Sequence, residues 1–451
     1  MSHSFPIAKP VVAAIGVSVL FVSCVSAQGV TQAPQGFTNL LNGKDLAGWW
    51  GAKTEDPEKY MALDDAALKK KVDGSQKNIH QHWRMEKGVL VNDGKGLFLT
   101  TRKNYGDFEF HVDYKTVARA DSGIYLRGIP QVQIWDHTEK GKWKIGANKG
   151  SGGLWNNAKG APGKDPLVMA DKPFGEWNRF RIIVVGERVT VFLNGKLVVD
   201  HARFQNFFKQ KGQRKKNLPK TGPIQLQTHG GPISWRNIFL REIGADEANQ
   251  ILAKGGFGQT DSKFKPIFNG KDWKGWKGPT KNYEITEASS LRCKKGKGGT
   301  IFTAAEYGDF IARVEIKLPK GGNNGLAIRY PGKGDTAYVG MCELQVLDNT
   351  AKKFGGLRPQ QYHGSVYGQV AARRGFLRAP GTWNFQEVTV KGSRIRVELN
   401  GYVIVDADIL KDAQYMTKKD KFRGRDRKKG HFGFAGHGDP VEFRNVRIKT
   451  L

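Results

Sequence analysis

The sequence repeats itself once, in order. "FTNLLNGKDLAGWWG" (37–51) returns as "FKPIFNGKDWKGWKG" (264–278), and "YGDFEFHVDYK" (105–115) as "YGDFIARVEIK" (307–317). "SGIYLRG" (122–128) answers "NGLAIRY" (324–330), "VTVFLNGKLVVD" (189–200) answers "IRVELNGYVIVD" (395–406), and "THGGPISWRNIFLRE" (228–242) answers "GHGDPVEFRNVRIKT" (436–450). Five blocks about 200 residues apart indicate a duplicated domain, because solenoid repeats are far shorter. The boundaries expected are 36–243 and 263–451. The segment 244–262 between them has an Ala/Glu/Gln core suited to a short helix and a Gly-rich end that reads as a linker.

Within each copy the hydrophobic period is two. In "DFIARVEIK", Phe310, Ala312, Val314 and Ile316 alternate with mostly polar neighbours, the pattern of a half-buried strand. Both "VFLNGKLVV" and "VELNGYVIV" set Asn-Gly between β-branched runs, a two-residue hairpin signal. In "VEFRNVRIKT" the phase switches near Asn445, which suits a bulge. The 57 glycines, more numerous than a helical chain tolerates, agree with an all-β chain of sandwich or jelly-roll domains. The helical exception is "DPEKYMALDDAALKKKVDG" (56–74), which has no counterpart in copy two.

The amino terminus, with one lysine, an apolar run from Val11 to Val22 and then small residues, has secretory signal architecture over 1–27, with cleavage expected after Ala27. A lipoprotein reading through Cys24 ranks second, because Phe21 fits that box poorly. No later run is long and apolar enough to cross a bilayer as a helix. The export reading places the protein in the periplasm or outside the cell. Cys293 and Cys342 would then be the cysteines left, either bridged or separately buried. The net charge of +31 is spread over both copies rather than gathered in a tail. In an exported protein that excess points away from nucleic acid and toward anionic polysaccharide, the cell envelope or solubility. Two basic runs, "KQKGQRKK" (209–216) and "KKDKFRGRDRKKG" (418–430), fall between the same blocks of each copy. They are either rims for an anionic glycan or solvated loops.

The ordered blocks resemble the 3-keto-disaccharide hydrolase family, whose elements "F-x-x-L-F-N-G-K-D-L-x-G-W", "Y-G-D-F-E", "S-G-I-Y-L-R-G", "E-x-Q-x-x-D" and "H-G…F-R-N-I" recur here in order, with differences between the copies. Each motif alone is weak; the ordered set is specific. The resemblance implies two tandem concanavalin-A-like β-sandwiches and action on sugars outside the cytoplasm, by cleavage of glycosides oxidised at C3. A C3 ketone acidifies the C2 proton, so the glycosidic bond can leave by elimination followed by hydration. That chemistry needs a base near C2, a donor or metal for the C3 oxygen, and an acid for the leaving oxygen.

Copy two offers candidates for each role. In "CELQVLD" (342–348), Glu343 and Gln345 share one strand face, and a bulge would bring Asp348 to it. Arg329 ends "NNGLAIR", with Asn324 expected on the same rim; Arg127 is its copy-one match. An arginine there either polarises a carbonyl or pairs with Glu343 or Asp348. His437 and His229 precede the last strand of each copy, as bases, as ligands of a divalent metal, or as turn residues. "YHGSVYG" (362–368) corresponds to "GSGGLWNN" (150–157), so Tyr367 and Trp155 are candidate sugar-stacking rings beside Asn156. His363 has no copy-one match. Copy one reads "PQVQIWD" (130–136), with Gln131 where Glu343 stands, and Gln133 and Asp136 kept. Glutamine binds a sugar but takes no proton at neutral pH. If the glutamate is the base, copy one binds and copy two catalyses; if Asp136 or His229 is the base, both copies are active. The leading reading is a carbohydrate-active hydrolase or lyase with Glu343, His437, Arg329 and Asp348 as catalytic candidates. A tandem carbohydrate-binding protein and an envelope adhesion protein are the alternatives. No G-x-S-x-G elbow, H-E-x-x-H or paired C-x-x-C supports serine-hydrolase or zinc chemistry.

Overall fold

The computed structural model describes residues 32–214, 218–258 and 263–451. The expected leader, with Cys24, lies outside the described residues, as do the end of the linker at 259–262 and part of the first basic run.

Each copy is a two-sheet sandwich with the same strand order. The larger, eight-stranded sheet of copy two runs Tyr402–Asp408, Arg394–Leu399, Trp383–Lys391, Phe310–Lys317, Glu442–Thr450, Leu291–Cys293, Tyr283–Ile285, with Lys265–Pro266 beside the last long strand. The smaller, five-stranded sheet runs Trp276–Lys277, Gly299–Tyr307, Gly430–Gly436, Asn323–Tyr330, Cys342–Leu347. Its copy-one twin runs Trp49–Ala52, Phe98–Thr101, Gln225–Leu226, Asp121–Tyr125, Gln131–Trp135. Every pairing is antiparallel, as short connections require.

The period-2 pattern explains the cores. Phe310, Ala312, Val314 and Ile316 are all buried between the sheets of copy two, where Leu344, Val346 and Phe434 meet them. The hairpins turn at Asn194-Gly195 and Asn400-Gly401, each with positive φ at both positions, the type I′ geometry that matches strand twist. The phase switch in the last strand is a bulge at Asn445 (φ 53°), and copy one has its twin at Asn237. Cys293 and Cys342 are separate buried thiols.

The copy-one insertion forms helices Pro57–Met61 and Asp65–His82, N-capped by Asp56 and Asp64. The second helix covers the outer strand of the small sheet, where Ser75 Oγ accepts the Gly51 N–H at 2.9 Å. Such cover removes an open sheet edge.

The copies are joined by more than the chain. Helix Ala245–Lys254 inserts Ala248, Ile251 and Leu252 between Ile183 and Val185 of copy one and Phe385 of copy two. Beside this apolar seam Arg188 grips Glu398 through Nε at 2.9 Å and Nη2 at 2.5 Å. The Glu187 N–H donates to the Gly401 carbonyl of the copy-two hairpin at 3.1 Å. Because Glu398 is buried, Arg188→Ala leaves an under-compensated charge in the seam. We expect a loss of about 3 kcal/mol, read as a lower urea midpoint of the whole chain. An unchanged midpoint would mean that the pair contributes nothing.

Candidate functional site

The site grows from the edge strand Cys342–Leu347. Strand alternation sends Cys342, Leu344 and Val346 into the core and leaves Glu343 and Gln345 on the outer face of the small sheet. Beyond this edge the 362–368 loop continues the sheet: Tyr367 N–H donates to Glu343 O at 2.9 Å, and Gln345 N–H donates to Ser365 O at 3.0 Å. Copy one repeats this with Trp155 N–H on Gln131 O. The neighbouring strand carries Gly325 opposite Gln345 and diagonal to Glu343. A Cβ at Gly325 would lie 2.3 Å from Glu343 Oε1, so its absence lets the carboxyl fold inward over the sheet. Gly123 makes the same room for Gln131.

Glu343 is 5% exposed, and the half-exposed His437 ring stands over it, with Nε2 3.8 Å from Oε1. Burial pushes the Glu343 carboxyl above its ordinary value; His437 opposes this without reversing it. The carboxylate in turn raises His437 above the ordinary imidazole value, against the effect of its own burial. Gln345 Nε2 donates to Asn323 Oδ1 at 2.9 Å, which fixes the neighbouring amide. A buried carboxyl poised high, a raised histidine and an oriented amide suit proton transfer on a neutral substrate.

Copy one builds a different pair at the same place. His229 Nδ1 lies 3.2 Å from Asp121 Oδ2, and Lys142 Nζ 3.1 Å from the same oxygen. Gln133 Nε2 donates to Asp121 Oδ1 at 2.9 Å, and Gln131 Nε2 donates to Gln133 Oε1 and Gln227 Oε1. Burial works against ionisation of Asp121, but His229 and Lys142 outweigh it and hold the group below the usual carboxylate value. Sequence reasoning missed Asp121. The signal was present: Asp121 aligns with Asn323 while Gln131 aligns with Glu343, so acid and amide exchange places between copies.

Several expected site residues sit elsewhere. Arg329 does not reach the sheet face or Glu343. It is buried at positive φ and donates to the carbonyls of Gly308, Gly392 and Arg427 and to Asp309. Arg127 does the same with Gly106, Gly186, Pro219 and Asp107, and adds the Tyr402 hydroxyl of copy two at 3.2 Å. Guanidinium forks that gather carbonyls of separate loops are structural clasps. Asn324 is on the core face with Leu326 and Ile328 rather than on the rim. Asp348 gains no bulge, since the pairing of its strand is continuous; it accepts Gly321 and Thr350 N–H groups in a turn. Asp136 does likewise for Arg119 and Thr138. Asn156 accepts the Gln131 N–H, and one face of Trp155 is covered by Lys164 Nζ at 3.6 Å from the ring centre. Tyr367 remains half-buried at the site, its hydroxyl 3.3 Å from Gln361 Nε2. His363 is a buried core histidine between the Leu347 N–H and Gln386 Oε1. Among the described residues no three His, Cys, Asp or Glu side chains are grouped to hold a metal ion.

The second basic run flanks the copy-two site. Its Phe422 is buried against Tyr338 at 5.2 Å, while Lys418, Lys419, Lys421 and Arg423 are exposed. In copy one Lys209 is neutralised by Asp56 and Glu58 of the insertion.

The protein is thus two β-sandwiches, each with a carboxylate–histidine pair on its smaller sheet. The 3-keto-alpha-glucoside-1,2-lyase-like domain model matches residues 36–241 and 263–449, and the chain belongs to that family twice over. A 3-keto-disaccharide hydrolase of Bacteroides thetaiotaomicron is 26% identical over 225 residues, 41% of this chain and 77% of that protein. A candidate glycosyl hydrolase of Parabacteroides distasonis is 26% identical, covering 42% of this chain and 99% of its own, with a TM-score of 0.38. The carbohydrate-binding module CBM66 of Bacillus subtilis is 17% identical, covering 39% of this chain and 96% of its own, with a TM-score of 0.27.

Burial holds His363 down at about 4, below the ordinary 6.5. The unfolded chain therefore takes up a proton that the folded one refuses, so the contribution is complete above 6.5 and lost as pH falls toward about 4. Across that window we expect a loss on the order of 3 kcal/mol. His363→Gln should flatten the pH dependence of the urea midpoint, and an unaltered slope would contradict the assignment.

Proposed function

We propose that copy two eliminates the aglycone from 3-keto-glycosides, with Glu343 as the base and His437 as the acid. The observation that carries this reading is the buried Glu343 carboxyl covered by the His437 ring. A carboxylate whose affinity for protons is raised by burial is a better base than a solvated one, and the acidified C2–H of a 3-keto sugar matches it.

In this mechanism Glu343 takes the C2 proton and the electron pair moves onto the C3 oxygen as an enolate. The Gln345 donation turns Asn323 so that its Nδ2–H serves that oxygen. The enolate then collapses, the C1–O bond breaks, and the His437 imidazolium protonates the departing alcohol. Water adds at C1 of the unsaturated ketone and gives its released proton to the now neutral His437, while Glu343 returns its proton to C2, giving the free 3-keto sugar and restoring both side chains. Tyr367 stands beside Glu343 as the neighbouring ring for the sugar. Export is part of the same proposal, supported by the amino-terminal pattern. The exposed Lys418, Lys419, Lys421 and Arg423 support substrates carried on anionic polysaccharide.

The test is turnover of a 3-keto-α-glucoside. Glu343→Gln should lower kcat about 10²–10⁴-fold. The profile of kcat/KM should be bell-shaped, because the reaction needs Glu343 ionised and His437 protonated. Its acid limb should lie above the ordinary glutamate 4.5 and its alkaline limb above the ordinary histidine 6.5. His437→Asn should erase the alkaline limb. Full activity in Glu343→Gln would remove the base assignment.

A further inference from the structure

Copy one has kept the histidine and the glutamine shared as Gln133 and Gln345, but has moved its acid. Where copy two carries Glu343 on the edge strand and Asn323 on the inner strand, copy one carries Gln131 and Asp121. Simple decay of a duplicated site would remove the carboxylate without replacing it. Here the carboxylate is rebuilt one strand inward and still faces the same histidine, His229, at 3.2 Å.

The rebuilt carboxylate has a different chemistry. Both of its oxygens are engaged: Oδ1 by Gln133, Oδ2 by Lys142 and His229. An aspartate held by a lysine, a histidine and an amide is a poor proton acceptor but a strong, oriented hydrogen-bond acceptor, and Lys142 and the 62%-exposed His229 add donors beside it. Acceptor and donors side by side match the vicinal hydroxyls of a sugar ring. The turn that brings Lys142 to Asp121 also carries Trp143, 45% exposed, with its Nε1–H bonded to the His137 carbonyl at 3.0 Å. That bond orients the indole without covering it. A rigid exposed ring costs little entropy to stack and suits the apolar face of a pyranose. Among the described residues the large exposed apolar side chains lie almost wholly in copy one, Leu410 and Leu451 excepted.

We propose that copy one is a separate glycan-docking site, in which Asp121, Lys142 and His229 hold the hydroxyl edge of a glucosyl unit and Trp143 takes its apolar face. This inference rests on the sugar-directed reading of copy two, and it assigns copy one to holding the glycan while copy two performs the elimination.

The test uses the full chain carrying Glu343→Gln, so that turnover does not consume the ligand, titrated by calorimetry with maltohexaose, cellohexaose and isomaltohexaose. At least one should bind at two sites per chain. Adding Trp143→Ala or Asp121→Asn should remove one event or weaken it at least 10-fold, with the other event unchanged. Because Trp143 is exposed, Trp143→Ala keeps the test valid even where Asp121→Asn disturbs folding. No binding by any of the three glycans, a single event in the parent chain, or two events that survive both substitutions would overturn the proposal. Turnover of a 3-keto-α-glucoside by the unsubstituted chain is a separate readout, so failure of the docking site and failure of the copy-two chemistry are distinguishable.

Discussion

The site depends on one constraint, the strict alternation of a sheet-edge strand. Because Cys342, Leu344 and Val346 must fill the core, Glu343 and Gln345 have no choice but the outer face. The 362–368 loop then pairs with that edge and prevents it from exposing free backbone groups. Gly325 completes the arrangement by leaving the space into which Glu343 folds. A slip of one residue would bury the carboxyl in the core and expose Leu344, so the register that stabilises the sandwich is the same register that places Glu343 on the outer face.

The two copies show which parts of the scaffold are fixed and which are free to change. Arg127 and Arg329 gather the same set of loop carbonyls in both copies, and the asparagine bulges at Asn237 and Asn445 tie back to Asp113 and Glu315. Arg127, Arg329, Asp113 and Glu315 are buried, and leaving a guanidinium or carboxylate unpaired there costs far more than its bond contributes. The outer face of the small sheet is buried too, but its polar residues differ between the copies. Its residues exchange charge for amide: in copy one Gln133 donates to Asp121 and Gln131 to Gln227, and in copy two Gln345 donates to Asn323 beside Glu343.

Much of this was legible in the sequence. The hairpins, the Asn445 bulge and the core stripe through Phe310, Ala312, Val314 and Ile316 follow from local pattern, and Glu343 and Gln345 follow from parity. What pattern does not give is the partner. Arg329 reads as a rim residue until its positive φ turns it away from the alternation toward the loops. Asp348 and Asp136 sit at strand ends, where a carboxylate more readily caps a turn than faces a ligand. His363 became a core residue because the 362–368 loop folds under the sheet edge, a contact set by tertiary structure alone. Asp121 was hidden for the opposite reason: aligning one motif at a time shows a lost glutamate, and only two motifs taken together show that the charge has moved.

The seam between the copies bears on how two unlike sites can act together. A flexible linker would let the sites sample many separations, so that one bound glycan rarely met both. Helix Ala245–Lys254, the Arg188–Glu398 pair and the Arg127–Tyr402 contact instead fix one copy against the other through buried groups. A fixed separation favours a ligand whose length matches it and gains nothing for one that is too short. The same Arg127 that clasps the loops of copy one also bonds across the seam, so stability of one domain and placement of the other are held by one side chain. Loss of the seam would therefore leave each sheet face intact while freeing one copy to move against the other.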